Sequence, residues 1–329
     1  MIDNAGILGE LRESCESCGT RGALVFAGLR DHMFGSPGEW NLRRCTSAAC
    51  GLVWLDPKPL PEQLGKLYSA YYTHSATGSA PPPDVAAYRS RGVKRLLKSA
   101  LGVLFFWKRD IFRSDFLHLE GMPPGALLEI GCGDGTFLAA AARNGWCTSG
   151  LDFDAAAVAA ARQRGVDAQV GELTSGRYAA ESFDAIVMNN VIEHLWNPRE
   201  TLAECHRLLR PGGRLVMVTP NFDSLGRRRF GRNWRGLEPP RHLYLYTARS
   251  LRSLCRRAGF RHLQSGSSAG GVSGRGILAA SIDIARKAGD ATPAQHVDIR
   301  QTLAREYVSS LTGGLLGEWV VVIAQRAAT

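Results

Sequence analysis

The chain has 329 residues, of which 45% are hydrophobic, so it can form one large domain or two ordinary ones, each with a full core. Its 40 lysines and arginines exceed its 30 acidic residues, which gives a net charge of +10. Such a surplus favours an acidic partner: nucleic acid, an anionic membrane or a phosphorylated substrate. The basic residues are scattered as well as clustered, and we favour the simpler interpretation that arginine is the default surface cation of this composition.

The eight cysteines and the apolar segments point to a reducing compartment. Disulfide scaffolds are typically short secreted chains, and this chain is not short. Its N-terminus shows no basic segment followed by an apolar run, so we predict no signal peptide. No stretch reaches 18 uncharged apolar residues, so we predict no membrane span. We therefore expect a cytoplasmic protein.

The first 58 residues predict a small β-rich module of the zinc-ribbon type. Two close cysteine pairs could converge on one metal, and Gly19 and Gly51 directly follow the second cysteine of each pair, where tight turns are needed. The four-residue gap in the second pair is looser than the usual two, and four reduced thiols are the alternative. Four thiolates leave no open position, so such a zinc would be structural. The predicted ligands are Cys15, Cys18, Cys45 and Cys50.

Residues 59–124 predict a helical linker or lid. Glu62–Tyr72 has helical spacing, Ser75–Asp84 is a Ser/Gly/Pro-rich linker or loop, and Ala87–His118 has helical apolar and basic faces. Within it, Leu96–Trp107 could lie on a membrane surface as a basic amphipathic helix, but we prefer an ordinary helix packed on the main domain.

From residue 125 onward, short apolar strands alternate with helices, which predicts an α/β fold with a mostly parallel sheet and helices on both faces. A helical insertion interrupts this pattern at about 265–314, and Thr292 and Pro293 suit the start of its second helix. The predicted strands are Ala126–Ile130, Cys147–Leu151, Ala168–Val170, Phe183–Asn189, Arg214–Thr219, Phe260–Gln264 and Trp319–Gln325. The predicted helices are Gly135–Asn144, Ala155–Gly165, Pro198–Leu209, Thr247–Ala258, Gly274–Ala288 and Pro293–Leu311.

A glycine-rich loop follows the first of these strands and indicates a nucleoside site. Ligands of such sheets bind at the carboxyl ends of the strands, and glycines allow close approach of the backbone. The dinucleotide fingerprint would require a glycine where Thr136 stands, which disfavours a dehydrogenase. Asp152 ends the next strand, at a suitable distance for a carboxylate to take both ribose hydroxyls.

These segments resemble class I S-adenosylmethionine (SAM)-dependent methyltransferases of the UbiE/UbiG-like branch. The motifs that carry the resemblance follow one another in the family's order: Leu127–Gly135, Gly150–Asp152, Gly171–Leu173, Phe183–Leu195 and Leu209–Leu215. The resemblance implies a seven-stranded Rossmann-like sheet with an antiparallel last strand, a methyltransferase domain over 125–329, and SAM as the cofactor. The cofactor-binding residues that it implies are Glu129, Gly131, Cys132, Gly133, Asp134, Gly135, Asp152, Phe153, Glu172, Leu173, Asn189, Asn190 and His194.

Two histidines are candidates for the base that removes a proton from the acceptor. His194 follows strand four, and His242 lies in a Pro-Pro-stiffened segment with Tyr244, a third candidate catalytic residue. A structural role is the alternative for either histidine, and we prefer His242 as the base. The arginine-rich run 226–235 could grip a phosphate, or it could be a solvated loop.

We expect the methyl acceptor to be a small molecule, such as a sugar, a nucleotide-sugar or a secondary metabolite, including phosphorylated or anionic ones. The cysteine module with its Pro-rich exit (54–59) resembles bacterial sugar C-methyltransferases and methyltransferases of natural-product and polysaccharide clusters. An RNA methyltransferase is the second hypothesis, disfavoured because Asn189-Asn-Val-Ile follows strand four rather than an Asn-Pro-Pro-Tyr motif. A non-enzymatic zinc-ribbon protein is the third, and the intact glycines and Asp152 disfavour it.

Overall fold

A computed structural model describes most of the chain. The predicted linker Ser75–Asp84 and the amphipathic segment Leu96–Trp107 lie outside the described residues, as does Ala87–His118 apart from its last residue. Among the residues that are described, no helix is long and apolar enough to cross a membrane. The described ranges are 1–68, 118–119, 121–173, 176–290 and 297–328.

Two small antiparallel sheets form from the first 59 residues. Their inward side chains are large and apolar. Trp40 and Leu42 are fully buried and alternate with more exposed residues along the strand Trp40–Cys45, and Leu55 of the next strand is also fully buried. A single 3-10 turn over Pro61–Gln63 then leads into a short helix. The elements are β1 (Ile2–Asn4), β2 (Ile7–Glu10), β3 (Gly22–Leu29), β4 (Trp40–Cys45), β5 (Val53–Asp56), β6 (Lys58–Pro59) and α1 (Leu64–Leu67).

The rest of the described chain alternates strands and helices around one large sheet. The strands are β7 (Ala126–Ile130), β8 (Cys147–Asp152), β9 (Asp167–Val170), β10 (Phe183–Asn189), β11 (Leu209–Pro220), β12 (Tyr244–Leu245), β13 (Arg261–Ser268) and β14 (Trp319–Gln325). The helices are α2 (Thr136–Arg143), α3 (Ala155–Gln163), α4 (Pro198–Leu208), α5 (Leu225–Phe230), α6 (Ala248–Arg257), α7 (Gly271–Lys287) and α8 (Ile299–Leu311).

The large sheet has seven strands in the order β13-β14-β11-β10-β7-β8-β9. Strands β7 to β11 pair in parallel, whereas β14 is antiparallel to both of its neighbours. This confirms the predicted Rossmann-like sheet with an antiparallel last strand. Both faces of its central strands are buried, which explains their continuous apolar sequences, such as Ala185–Met188.

The N-terminal module and the large sheet share one hydrophobic core. Alternate residues of the central strands face two separate cores, and the core that holds Leu128 and Ile186 continues into the module through Trp40 and Leu42. The connection also includes backbone, because β12 pairs antiparallel with β5, with Tyr244 opposite Trp54. A strand from the second half of the chain therefore completes a sheet of the module.

Helix α8 is shorter than the predicted helix Pro293–Leu311. Helix α8 begins at Ile299, and its N-cap is Asp298, whose carboxylate accepts hydrogen bonds from the Arg300 and Gln301 amides. A carboxylate that accepts from two free amides is a strong cap. Thr292 and Pro293 themselves lie outside the described residues.

Arg241 makes the second connection between the module and the sheet. Its guanidinium is 1% exposed and donates to Asp31 Oδ2 at 2.9 Å, to Ser36 Oγ at 2.8 Å and to Glu238 Oε1 at 2.9 Å. Burial alone would raise the pKa of Asp31, but the Phe34 amide and the Arg241 charge outweigh it and hold that pKa below its usual value. A buried cation of this kind depends on its partners, because an uncompensated buried charge is strongly destabilising.

We therefore predict that Asp31→Asn lowers the free energy of unfolding by about 3 kcal/mol, since it leaves the buried guanidinium with one carboxylate instead of two. Urea unfolding followed by tryptophan fluorescence measures this change. Asp283→Asn is the matched control, because the Asp283–Arg286 pair is exposed and should contribute under about 1 kcal/mol. Equal effects of the two substitutions would contradict the structural role of Arg241.

Candidate functional site

The loop after β7 has glycine where the backbone takes a conformation that other residues rarely adopt. Gly131 has a φ of +74° and Gly133 a φ of +51°, both in the left-handed region. A Cβ on Gly131 would lie 2.3 Å from Val191 Cγ2, so the space above this residue is also restricted. The Gly131 amide donates to the Leu151 carbonyl at 2.7 Å, which fixes the loop against the end of β8.

Asp152 lies at the end of β8 with its orientation fixed by the backbone. Its Oδ2 accepts from the Gly133 amide at 2.8 Å, and its Oδ1 accepts from the Asp154 amide at 2.9 Å. Each carboxylate oxygen can accept a second hydrogen bond, so both remain able to take a hydroxyl. The side chain lines a large cavity in front of the loop.

Glu129 lies beneath the loop and carries an orphaned oxygen. Its side chain is buried, and Oε2 has no hydrogen-bond partner among the described residues. Burial, with smaller contributions from the charges of Asp152 and Asp134, raises its pKa well above the usual value. A buried acceptor without a partner is costly, which suits a position next to a ligand that brings donors.

The described residues enclose a cavity of about 1510 Å³ that runs from this loop to the predicted acceptor side. Most of the predicted cofactor residues line it, and the rest support the loop from behind. Those that line the cavity are Gly131, Gly133, Asp152, Phe153, Glu172, Leu173, Asn190 and His194. Those absent from its lining are Glu129, Cys132, Asp134, Gly135 and Asn189.

The side chains of Cys132 and Asp134 therefore do not face the cavity, contrary to the prediction. Burial raises the pKa of the Cys132 thiol to about 12, and its sulfur packs against Gly150, where a Cβ would lie 2.8 Å away. Asp134 accepts from the Thr136 amide and pairs with Arg164 at 2.8 Å. Both side chains stabilise the loop and the start of α2.

Two histidines meet at the other end of the cavity. The ring centroids of His194 and His242 are 4.7 Å apart. Nδ1 of His242 lies 2.8 Å from the Gly236 carbonyl, and Nδ1 of His194 lies 3.1 Å from the Arg241 carbonyl. Only a nitrogen that carries hydrogen can bond a carbonyl, so in both rings Nδ1 is the donor and Nε2 keeps its lone pair.

Burial lowers the pKa of both histidines, to about 3 for His242, despite the opposing charge of Glu238. Both rings are therefore neutral at pH 7. A histidine of such low pKa binds a proton weakly. His242 is therefore better suited to accept a hydrogen bond from the methyl acceptor than to take up and keep the proton of that molecule.

Sequence reasoning missed Glu193, the residue next to His194. Its side chain is fully buried and lines the same cavity. Oε2 accepts from Thr219 Oγ1 at 2.9 Å, whereas Oε1 has no partner within the described part of the chain. Burial raises its pKa to about 8. An acidic residue inside an otherwise apolar run, Val191-Ile192-Glu193, was the available signal.

Comparison with known proteins finds methyltransferases that are similar to part of this chain. Residues 108–265 match the family model described as a methyltransferase domain. This segment is therefore similar to methyltransferase domains. A probable SAM-dependent methyltransferase of Mycolicibacterium smegmatis is 42% identical over 100 residues, which are 29% of this chain and 38% of the relative. A ubiquinone biosynthesis O-methyltransferase of Pseudomonas aeruginosa is 32% identical over 108 residues, 31% of this chain and 47% of the relative.

The chain thus spans less than half of the length of these curated relatives. Among solved structures, phosphoethanolamine N-methyltransferase 2 of Haemonchus contortus, in complex with SAM, aligns with 84% of this chain and 63% of its own. Its identity is 16% and its TM-score is 0.48.

The residues of the methyltransferase domain fit SAM. The glycine loop leaves open space next to Gly133, because no atom lies within 4 Å of the position that a Cβ would take on this residue. The orphaned Glu129 oxygen lies beneath the loop, and the oriented Asp152 carboxylate lies beside it. A ribose with two hydroxyls is the ligand group that such a carboxylate takes.

Tyr244 does not belong to the site, and its prediction as a catalytic residue is wrong. Its hydroxyl bonds to Lys58 Nζ at 2.8 Å and to the Glu16 carboxylate, both in the N-terminal module, and it does not line the cavity. Because Tyr244 lies in β12, pairing with β5 turns it towards the module.

The arginine-rich run is also placed differently from the expected phosphate grip. Of its five arginines, only Arg235 lines the cavity, where it pairs with Glu238. Arg232 instead donates to the Ala27 and Gly28 carbonyls of the module, and Arg227 donates to the Phe222 carbonyl. Most of the run therefore holds segments of the fold together.

The N-terminal part of the chain contributes to the cavity wall, which sequence reasoning did not foresee. Met33, Leu64 and Tyr68 line the cavity. The Tyr68 hydroxyl lies 3.0 Å from His194 Nδ1, and its ring lies 5.4 Å from that of Phe153. The first 68 residues thus contribute to the wall of the cavity.

The four predicted cysteines converge within the module. Sγ of Cys15 lies 3.7 Å from that of Cys50, and Sγ of Cys18 lies 3.3 Å from that of Cys45. Tetrahedral zinc with bonds of about 2.3 Å places thiolate sulfurs about 3.8 Å apart, so the cluster is close to that geometry. Gly19 and Gly51 both adopt positive φ in the turns that present the thiols, as predicted.

The buried histidine predicts a pH dependence of stability. His242 stays neutral in the folded protein down to about pH 3, whereas the unfolded chain takes up that proton near pH 6.5. Its contribution to stability is therefore complete above pH 6.5 and falls at lower pH, by up to about 1.4 kcal/mol per pH unit. His242→Asn should lose less stability than the wild type between pH 7 and pH 5.5 in urea unfolding.

The control is His262→Asn, which replaces an exposed histidine and should keep the wild-type pH dependence. Identical pH dependence in the wild type and His242→Asn would contradict the neutral, buried state of His242.

Proposed function

We propose that this chain transfers a methyl group from SAM to a small-molecule acceptor bound beside Glu193, His194 and His242. The observation that carries this proposal is one cavity that continues from the cofactor loop to these three side chains. Its volume of about 1510 Å³ exceeds the 300–1,000 Å³ or so of a pocket for one drug-sized ligand. The cavity therefore has room for a cofactor and a second molecule.

Different residues serve the cofactor end and the acceptor end of the cavity. Asp152 would hold the ribose, and Glu172 and Leu173 would contact the adenine. When bound, SAM supplies a methyl group on a good leaving group, so the protein mainly aligns the acceptor. At the other end, the neutral histidines offer Nε2 lone pairs that can accept a hydrogen bond from an acceptor hydroxyl and orient it.

The arginines disfavour the alternative of an RNA substrate. A nucleic-acid site needs an open basic surface that contacts successive phosphates. Here Arg227, Arg229, Arg232 and Arg235 donate to groups of the protein itself. Arg207 and Arg235 do line the cavity, but Glu204 and Glu238 pair with them, so the proposal leaves the charge of the small acceptor open.

Thermal unfolding with added ligands tests this function. SAM and its demethylated product should each raise the melting temperature, whereas NAD should not, and Asp152→Ala should abolish the shift because it removes the oriented carboxylate. Asp167→Ala is the control, since Asp167 is exposed on the neighbouring strand and should leave the shift unchanged. No shift with SAM in the wild type would overturn the proposal.

We further propose that the cysteine cluster binds one structural zinc ion, which suits a reducing cytoplasm. Its support is the convergence of four thiols, three of them buried, in two turns of the module. A zinc ion would bind all four as thiolates and leave no open position for chemistry. It would stabilise the module, and with it the side of the cavity that the module forms.

Metal analysis of the purified protein should find about one zinc per chain at this cluster. Cys45→Ser should lose it, whereas Cys147→Ser, which changes an exposed cysteine outside the cluster, should retain it. If Cys45→Ser does not fold, titration of the wild type with a mercurial reagent should release zinc as thiols react. Folded wild-type protein without zinc would refute the site.

A further inference from the structure

Three side chains at the acceptor end of the cavity form a cluster with the composition of a metal site. Glu193, His194 and His242 each offer one potential ligand atom, and these atoms lie within 4.8 Å of one another. All three line the cavity. Glu193 is fully buried and His242 is 4% exposed, so solvent does not satisfy their polar atoms. This cluster is separate from the four cysteines of the module.

The two imidazoles are oriented as metal-binding histidines are. A histidine that binds a metal through one nitrogen commonly donates its other N–H to a backbone carbonyl or carboxylate, which fixes the ring and the tautomer. Here the Arg241 carbonyl fixes His194 and the Gly236 carbonyl fixes His242, in both cases through Nδ1. Both Nε2 atoms are left as ligands.

Glu193 supplies an independent observation. Its Oε2 is held by the Thr219 hydroxyl, but Oε1 is buried and has no hydrogen-bond partner among the described residues. A buried oxygen of this kind costs stability unless it has a partner. A cation placed between Oε1 and the two imidazoles would provide that partner.

Glu238 adds negative charge next to the cluster. Its Oε2 lies 3.4 Å from His242 Nε2, which is longer than an ordinary hydrogen bond. Arg235 and Arg241 both pair with this carboxylate and hold it in place. The two arginines balance this charge and keep Glu238 out of the cluster, so that the three ligand atoms stay in position.

We propose that Glu193, His194 and His242 bind a divalent transition-metal ion at the acceptor end of the cavity. Two imidazoles and one carboxylate suit ions such as Mn²⁺, Fe²⁺ or Zn²⁺ and leave coordination positions open. Ligand bonds of about 2.1 Å place neighbouring ligand atoms about 3–4 Å apart, so small side-chain adjustments complete the site.

The site also narrows the acceptor, and this step rests on the proposed methyltransferase function. Open positions on such an ion bind oxygen, so the acceptor is a molecule with a hydroxyl and a second oxygen beside it. The bound hydroxyl releases its proton to water more readily. Its oxygen then forms the bond to the methyl carbon, the carbon–sulfur bond of SAM breaks, and that electron pair returns to sulfur.

Metal counting on the full chain tests the site without turnover. The protein is dialysed against micromolar MnCl₂, desalted and analysed for all divalent metals. Wild type should hold about one metal more per chain than Glu193→Gln and His194→Ala, because each substitution removes a ligand. Glu200→Gln, which changes a carboxylate elsewhere in the cavity wall, and His262→Asn should match the wild type.

The zinc of the cysteine module is present in every variant and cancels in the comparison. Equal metal content in wild type and Glu193→Gln would overturn the metal site. The same samples are tested for thermal stabilisation by SAM, which shows that each variant is folded. Metal binding without a SAM shift would contradict the proposed function but keep the site, whereas a SAM shift without the extra metal would do the reverse.

Discussion

The buried guanidinium of Arg241 is the interaction on which the acceptor end of the molecule depends. Its side chain joins Asp31 of the N-terminal module to Glu238 of the segment before β12. Its own carbonyl faces Nδ1 of His194, and Glu238 lies beside His242. One residue thus holds the module in place, orients His194 and fixes the carboxylate beside His242. Replacement of Asp31 would therefore change the orientation of residues at the site as well as the stability of the fold.

The two ends of the cavity are built by different means. At the cofactor end, neighbouring residues suffice. The glycines with positive φ lie in the loop after β7, and the amide of Gly133 orients Asp152 at the end of the adjacent parallel strand β8. At the acceptor end, the wall comes from separate parts of the chain, with Met33 and Tyr68 from the first 68 residues and His194 and His242 from the second half of the chain. The cofactor end therefore depends on a local pattern of the sequence, whereas the acceptor end depends on contacts between distant segments of the chain.

This difference explains what could be predicted from the sequence. The loop at Gly131–Gly135 and Asp152 carry a local pattern, and the strands around them repeat apolar residues in short runs. The sheet was therefore predictable, and so was the group of residues around this loop, of which Gly131, Gly133 and Asp152 line the cavity. The paired cysteines were predictable for the same reason. Local patterns did not distinguish residues of the loop that face the ligand from those that support it, as Cys132 and Asp134 show.

The acceptor end required contacts that the sequence does not display. Asp31 and Arg241 are 210 residues apart. Tyr244 stands two residues after His242, yet its strand pairs with β5, and this pairing takes its hydroxyl to Lys58. The sequence suggests an open basic loop for the arginine-rich run, because the groups that accept its hydrogen bonds, such as the Ala27 carbonyl, lie far away in the chain. Glu193 became visible as a functional residue only once its burial was known.

Hydrogen exchange with and without the demethylated product of SAM tests the central claim most directly, because it locates the bound cofactor on the chain. Binding should slow exchange in the segments 129–135, 150–154, 171–173 and 189–194, which meet at the carboxyl ends of the parallel strands, and leave the cysteine turns at 15–19 and 45–51 unchanged. Protection confined to the cysteine module, or no protection in the loop after β7, would contradict the account.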